Sequence, residues 1–172
     1  MRNLNEVWKG GISSYCLTLM VISFLQLHPR EDAVAPNANL GVLLIEFFEL
    51  YGYLFNYLKV GISVKSCCYV KKEVILKKCG DNHRSILCVE DPTNITNDVG
   101  RSSYGALQVQ RAFRMAYLEL TRACGPTSSF IDPKSSILGR IIRVAAEDDK
   151  LHSGNSQHNN SKKSSSRSQH YN

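Results

Sequence analysis

The sequence lacks the paired cysteines and histidines that hold a structural zinc ion. None of its six cysteines forms a Cys-x-x-Cys pair, and the few histidines of residues 1–149 are not spaced with the cysteines as ligands would be. A zinc site is therefore not expected. Cys67 and Cys68 are adjacent, and two other cysteines lie in apolar runs. Reduced thiols fit this pattern better than the disulfide framework of a small secreted protein.

A membrane-spanning segment is missing too. The apolar run near the amino end covers residues 16–27 and is shorter than the roughly 20 residues that a bilayer requires, so no membrane association is predicted. This run, with Ala33-Val34-Ala35 after it, imitates a signal peptide and its cleavage site. Glu6 ahead of the run and Pro36 after the would-be cut argue against secretion, which stays the weaker alternative.

Positive charge is less widespread than the net value of +6 indicates. Residues 150–172 hold four basic residues and no acid, which leaves +2 for the rest of the chain. A local excess of basic residues extends from Lys59 to Arg84. This stretch could follow a nucleic-acid backbone or form a solvated basic face, and the charge alone leaves both interpretations open.

The remaining pattern predicts a mainly α (α+β) fold, with one helical domain in residues 1–149 and a small β element. The first helix is apolar on nearly every side and is expected to be buried. Helix caps are expected within residues 36–39 and at Ser102 or Ser103. The predicted helices cover 12–27, 40–58, 104–124 and 135–149; strand segments at 60–70 and 85–90 flank a helical turn at 73–78. Residues 150–172 have too little apolar surface to become ordered and form a predicted disordered tail.

The first stretch with a chemical signature is Gly10-Gly11-Ile12-Ser13-Ser14-Tyr15. Glycines ahead of a helix let backbone amides approach an anion, and the hydroxyls of Ser13 and Ser14 add donors at the positive end of the helix dipole. The Tyr15 ring offers a surface on which a base can stack. A plain helix cap is the common alternative for such a sequence.

The second stretch is the 91–101 loop, which is dense in turn-forming residues. Asp91, Asn94, Asn97 and Asp98 offer carboxylate and amide groups that can pair with the edge of a base. Such a loop can select a nucleotide. The alternative is a structured turn whose side chains bond to their own backbone.

Three long segments carry a more specific signal through their order and spacing between Asn3 and Val144. They are GGISSYCLTLMVISFLQLHPR, NLGVLLIEFFELYGYLFNYLKVGI and LCVEDPTNITNDVGRSSYGALQVQRAF. Together they resemble the poly(A)-polymerase-associated region of the terminal nucleotidyltransferases, and most of all the nuclear branch, the RNA-tailing polymerases of TRAMP-type surveillance complexes. The resemblance implies the helical central domain found in poly(A) polymerases and oligoadenylate synthetases.

The resemblance also implies roles for individual residues. Ser14 would contact the triphosphate, and Tyr15 would stack under the base. The 91–101 loop, with Arg101 at its end, would be the nucleotide-recognition motif. Asn97 falls where uridylating relatives often carry histidine, so its small amide implies room for adenine, while Asp91 would order the loop.

Members of this family add AMP from ATP to an RNA 3′ end by a two-metal phosphoryl transfer. Three aspartates hold their Mg²⁺ or Mn²⁺, and nothing in this sequence replaces those aspartates. The chain therefore looks like a piece cut off on its amino-terminal side, and we expect it to be inactive alone. A non-catalytic RNA- or protein-binding module derived from such a polymerase is the alternative.

The nuclear branch further implies a location and partners. Residence in the nucleus or nucleolus is expected, with some support from the basic, serine-rich residues 150–172. A zinc-knuckle RNA-binding protein and an RNA helicase are the partners that a surveillance complex implies.

Overall fold

The computed structural model describes residue 4 and residues 6–80, 85–125 and 136–142. Most of these residues are helical. Within these ranges the helices are α1 (Ser14–Gln26), α2 (Leu40–Glu49), α3 (Lys72–Lys78) and α4 (Ala106–Cys124), and the strands are β1 (Val60–Ser63), β2 (Cys68–Lys71) and β3 (Val89–Glu90). The predicted mainly α fold with a small β element is confirmed. No helix in the described ranges has both the length and the apolar character to cross a membrane.

Helix α1 was predicted to be buried, and the structure buries one side of it but not the other. The residues that face the core recur at helical spacing and are Cys16, Leu19, Met20, Ser23 and Phe24. Leu17, Val21 and Ile22 on the other side remain exposed. Apolar residues on every side of a helix do not reveal which side packs, because only the stripe that meets another element leaves water.

Helix α2 packs by its aromatic side, as its spacing predicts. The Phe47 ring meets the rings of Phe24 and Phe113 edge to face, at centroid distances of 5.7 and 5.6 Å. The expected cap is Asn39, whose side-chain oxygen accepts from the backbone N–H of Gly41 and Val42. Helices α1, α2 and α4 thus share one core.

The segment predicted as one helix over residues 40–58 changes form after Glu49. Leu50–Leu54 make a π-helical turn, and Phe55 is already extended. Gly52 lies where this turn meets α4, and a Cβ atom added to it would lie 2.7 Å from the backbone nitrogen of Arg114. Only glycine permits this approach of the two backbones.

The small sheet positions the 91–101 loop. Strand β1 pairs antiparallel with β2 and parallel with β3, so the strand order is β2-β1-β3. Both predicted strand segments contribute to this sheet, although 60–70 divides into β1 and β2, and α3 occupies the predicted helical turn. The 91–101 loop follows β3 directly and returns to it through an antiparallel bridge between Glu90 and Asp98.

Lys72 belongs to the basic stretch from Lys59 to Arg84 but does not lie on the surface. Its side chain is buried, and its Nζ donates to three backbone carbonyls at 2.5, 2.6 and 2.7 Å, those of Tyr57, Ser85 and Ile86. Burial lowers the pKa of Lys72. This lysine ties the chain ahead of β3 to the turn before β1, so the charge belongs to the interior rather than to a nucleic-acid surface.

Helix α4 begins two residues later than predicted, at Ala106, and Gly105 provides no side-chain cap. Ser103, an expected cap, donates its hydroxyl to the carbonyl oxygen of Gly11 at 3.2 Å instead. Within the predicted helix 135–149, Leu138–Arg140 form a short 3₁₀ turn. Residues 143–149 and the predicted tail 150–172 lie outside the described residues, and the division between domain and tail stays a prediction.

A candidate nucleotide site between helix α1 and the 91–101 loop

Tyr15 stands in the first turn of α1, where the capping of the helix fixes its position. The Ser13 side-chain oxygen accepts from the backbone N–H of Cys16 at 3.1 Å, which makes Ser13 the N-cap. The Tyr15 side chain is 47% exposed, and its hydroxyl donates to Oδ1 of Asp91 at 3.3 Å. The two residues are 76 positions apart in sequence, so the fold brings together the two predicted motifs.

The glycines ahead of α1 serve the fold rather than an anion. The backbone N–H groups of Gly10, Gly11 and Ile12 all donate to carbonyls of preceding residues, at 2.9, 3.0 and 2.8 Å. Amides that are already bonded cannot approach a phosphate, so this part of the sequence-based interpretation was wrong. Ser14 is exposed at the first turn, where the helix dipole still favours negative charge.

Asp98 braces the 91–101 loop from inside. Its side chain is buried, and Oδ1 accepts from the backbone N–H of Val89 and of Gly100, both at 2.9 Å. A further brace comes from Glu90, a buried carboxylate that bonds to the Lys78 ammonium of α3 at 3.0 Å. The loop is therefore anchored to β3 and α3 at its base.

Asp91 is the centre of the site, because four donors converge on its carboxylate. Oδ1 accepts from the hydroxyl and backbone N–H of Thr93, at 2.7 and 2.9 Å, and from Tyr15. Oδ2 accepts from the Asn97 side-chain amide at 3.0 Å. The Thr93 hydroxyl, followed by the Asn97 amide, holds the pKa of Asp91 well below its usual range, since hydrogen bonds to the charged form favour it.

Asn97 is an exposed residue with a fixed amide. Because its Nδ2 donates to Asp91, its Oδ1 is left as the acceptor of the side chain. The Asn97 backbone is held as well: its N–H donates to the Asn94 carbonyl at 2.9 Å, and its carbonyl accepts from Asp91 N–H at 3.1 Å. The amide cannot reverse without placing a carbonyl oxygen against a carboxylate.

An open cleft of about 630 Å³ lies between α1 and the loop. Its lining residues are Tyr15, Asp91, Asn97, Asp98, Val99, Arg101 and Ser102. The structure thus brings five of the predicted site residues to one cavity. Ser13, Ser14 and Asn94 lie outside this lining: Ser13 is the cap, and Asn94 accepts from the hydroxyl and N–H of Thr96, the self-bonded turn that is the alternative for such loops.

Three residues of the site were not singled out from the sequence: Thr93, Val99 and Ser102. Thr93 follows Asp91 by two positions, which is the spacing of a side-chain turn and could have indicated its role. Val99 and Ser102 carry no such signal. Their proximity to Tyr15 depends on how the loop folds back onto β3.

The described residues do not provide a metal site. No group of three or more His, Cys, Asp or Glu side chains in the described ranges could hold a metal ion. The acids of α2 have other partners: Glu46 bonds to Arg30 and His28, and Glu49 accepts from the Tyr117 hydroxyl at 2.9 Å. The part of the chain that the structure covers therefore does not supply ligands for the two-metal centre of the polymerases that the sequence resembles.

Comparison with known proteins places these features in a family. The profile described as "Cid1 family poly A polymerase" matches residues 39–97. The "Inactive non-canonical poly(A) RNA polymerase protein Trf4-2" of Drosophila melanogaster is 44% identical over 149 residues, which cover 84% of this chain and 36% of that protein. The "Poly(A) RNA polymerase cid14" of Schizosaccharomyces pombe is 42% identical over 154 residues, 84% of this chain and 22% of that protein.

The fold has relatives among solved structures. The polymerase core of TRAMP, described as an RNA surveillance complex, superposes with a TM-score of 0.70 at 33% identity, over 83% of this chain and 46% of that one. The chain spans about a third or less of the length of the two curated relatives above.

Proposed function

This chain belongs to the Cid1 family of poly(A) polymerases, and we propose that it is the nucleotide-selecting part of a template-independent poly(A) RNA polymerase. Such an enzyme adds AMP from ATP to RNA 3′ ends. The observation that carries the proposal is the hydrogen bond between Tyr15 and Asp91, which joins the two motifs across one cleft. ATP is the substrate that this cleft would bind.

The chemistry of the cleft supports adenine as the preferred base. The exposed Tyr15 ring offers a stacking surface that any base can use. Discrimination would come from Asn97, because Asp91 leaves the Oδ1 of its amide as an acceptor. Adenine presents an amino group to such an acceptor, whereas uracil presents a carbonyl oxygen in the corresponding place.

The triphosphate would extend from the base toward positive groups at the edge of the cleft. Arg101 lines the cleft, and the first turn of α1 carries the positive end of a helix dipole with Ser14 exposed beside it. The buried Asp98 carboxylate would repel phosphate from the floor of the cleft. These charges favour one orientation, with the base toward Asn97 and the phosphates toward Ser14 and Arg101.

AMP transfer would require aspartates that hold Mg²⁺ or Mn²⁺, which the described residues do not supply. When bound, such ions would activate the RNA 3′-hydroxyl and stabilise the departing pyrophosphate. The role proposed for these 172 residues is therefore base stacking, triphosphate contact and nucleotide selection, with no polymerisation by the chain alone.

The family also suggests where such an enzyme works. One similar structure is the polymerase core of an RNA surveillance complex. On this ground we propose the nucleus, including the nucleolus, as the location, with a zinc-knuckle RNA-binding protein and an RNA helicase as partners. Fluorescence imaging of the tagged chain checks the location, and co-purification from nuclear extract checks the partners.

A second function is favoured by one specific observation. The Drosophila relative that is 44% identical is named an inactive polymerase. This chain could likewise be a non-catalytic RNA- or protein-binding module. Under that alternative the purified chain would bind an RNA oligonucleotide but show no preference among nucleoside triphosphates.

Calorimetric titration of the 172-residue chain with ATP and with UTP separates the two functions. We expect saturable binding of ATP that is about tenfold tighter than that of UTP, the difference that one base-edge hydrogen bond contributes. Incubation with Mg²⁺, ATP and an RNA primer is expected to give no extension. Equal affinities, or no binding of either nucleotide, would contradict the proposed function.

A further inference from the structure

The two walls of the cleft, helix α1 and the 91–101 loop, are joined a second time through residues that do not line the cleft. The backbone N–H of Gly105 donates to the Gly10 carbonyl at 2.9 Å. The Ser103 hydroxyl donates to the Gly11 carbonyl at 3.2 Å, across 92 positions of sequence. This rear junction connects the chain that leads into α1 with the chain that leads into α4.

The rear junction has no spare volume. Gly10 has a φ of +79°, and a Cβ atom on it would lie 2.5 Å from the ring of Tyr104. A Cβ on Gly105 would lie 2.8 Å from the Gly10 carbonyl oxygen. Ser103 is 1% exposed, so water cannot replace its bond to Gly11 without repacking.

Short, bonded segments connect the rear junction to the cleft. Gly11 is followed by Ile12, which is buried, and by the cap residue Ser13, so little freedom remains before Tyr15. On the other wall the Ser103 N–H donates to the Gly100 carbonyl at 2.9 Å. A shift at Ser103 would therefore be transmitted to both walls.

The contact between Tyr15 and Asp91 is too weak to set the width of the cleft by itself. The bond between Tyr15 and Asp91 is 3.3 Å long and involves a residue with 47% exposure. Water competes with hydrogen bonds of that kind, and they contribute little net stability. The bond of Ser103 has no such competition because its residue is buried.

We propose that Ser103 is a positioning residue for base selection: by bonding to Gly11 it sets the spacing between the Tyr15 ring and the Asn97 amide. Ser103 does not line the cleft and acts through the two walls. The inference rests on the proposed function, because a selective cleft is what the spacing would serve. In a wider cleft a base would still stack on Tyr15, but the hydrogen bond between its edge and the Asn97 amide would be weaker.

The test compares Ser103→Ala with Ser85→Ala in the full chain. Ser85 is a matched control, since it is also buried and its hydroxyl has no hydrogen-bond partner among the described residues. Thermal unfolding by circular dichroism confirms that both variants are folded at the temperature used. Calorimetry then gives the ATP and UTP affinities of each variant, and NMR of the nucleotide-free protein follows the Tyr15 ring and the Asn97 side-chain amide.

We expect Ser103→Ala to lower the ratio of ATP to UTP affinity by about three- to tenfold, the range for one lost hydrogen bond. The Tyr15 and Asn97 resonances should shift without nucleotide, and Ser85→Ala should leave both the ratio and these resonances unchanged. An unchanged ratio in Ser103→Ala, with a selective wild type, overturns the role of Ser103. If the wild type binds neither nucleotide, the proposed function fails and the role of Ser103 in base selection fails with it; shifted Tyr15 and Asn97 signals in Ser103→Ala would then show only that Ser103 sets the spacing of the two walls.

Discussion

The two walls of the cleft are built on different principles. The 91–101 loop is held by its own polar groups: Asp98 bonds to two backbone amides, and Asp91 collects four donors. The α1 wall depends on helix geometry, in which Ser13 caps the first turn and Tyr15 presents its ring. Most polar atoms of the loop are thus already hydrogen-bonded, which leaves few atoms that can bond to a base.

That difference assigns separate tasks to the two walls. A ring with nearly half of its surface exposed can stack on any base, so the α1 wall contributes affinity. A fixed amide has one acceptor in one direction, so the loop contributes selectivity. Substitutions that affect one wall should therefore change affinity and selectivity in different proportions.

The largest effect is expected for Asp91→Asn, which disturbs both walls. The new amide would direct its NH₂ group either at the Asn97 amide or at the donors of Thr93 and Tyr15, so donors would face donors. We expect ATP affinity to fall by about twentyfold or more, because at least one hydrogen bond to a charged group is lost, which contributes about 1.5–3 kcal/mol. Calorimetry measures this, and a loss below threefold would show that the carboxylate does not organise the site.

The next largest effect is expected for Tyr15→Ala, which removes the stacking surface. Stacking on an aromatic side chain contributes about 1–3 kcal/mol per base, so ATP affinity should fall by about tenfold or more. UTP affinity should fall by a similar factor, because stacking does not distinguish the two bases. Tyr15→Phe is the matched control: it keeps the ring and loses only the 3.3 Å bond to Asp91. A loss in Tyr15→Phe as large as in Tyr15→Ala would argue against stacking.

Low pH should destabilise the 91–101 loop through protonation of Asp91. The pKa of Asp91 is lower in the folded chain than the value of about 3.9 that an unfolded chain has. Its ionised form therefore stabilises the fold above about pH 4, and this contribution is lost as the pH falls toward the folded-state value. Thermal unfolding followed from about pH 6 to pH 3 should show a steeper loss of stability for the wild type than for Asp91→Asn. The same pH dependence of stability in the wild type and in Asp91→Asn would contradict a lowered pKa of Asp91.

The smallest effect is expected for Asn94→Ala. Asn94 lies outside the lining of the cleft, and its side-chain oxygen accepts from the N–H and hydroxyl of Thr96 within its own turn. ATP affinity should change by less than about twofold, the scale of an exposed hydrogen bond. Asn97→Ala, in the same loop, should instead lower the preference for ATP over UTP. Equal effects of Asn94→Ala and Asn97→Ala would contradict the assignment of base selection to the Asn97 amide.

Much of the fold could be predicted from the sequence, because it depends on local patterns. The capping of α2 by Asn39 and the pairing of the short strands follow from turn chemistry and β-branched spacing. The proximity of Tyr15 and the 91–101 loop was expected only through resemblance to a family, since 76 residues separate Tyr15 from Asp91.

What could not be predicted depends on tertiary contacts. Lys72 looks like its basic neighbours, and only the fold reveals three carbonyls around its ammonium. Gly10 and Gly11 have the composition of an anion-binding turn, yet their amides bond to the preceding residues. The π-helical turn at Leu50–Leu54 likewise coincides with the crossing of α4 at Gly52.

The most direct test of the central claim is NMR of the 172-residue chain during addition of ATP. The account predicts that the Tyr15 ring resonances and the Asn97 side-chain amide resonances shift together along one saturation curve, with a single dissociation constant. Shifts confined to one wall, or the absence of any shift at either residue, would contradict an adenine pocket shared by α1 and the 91–101 loop.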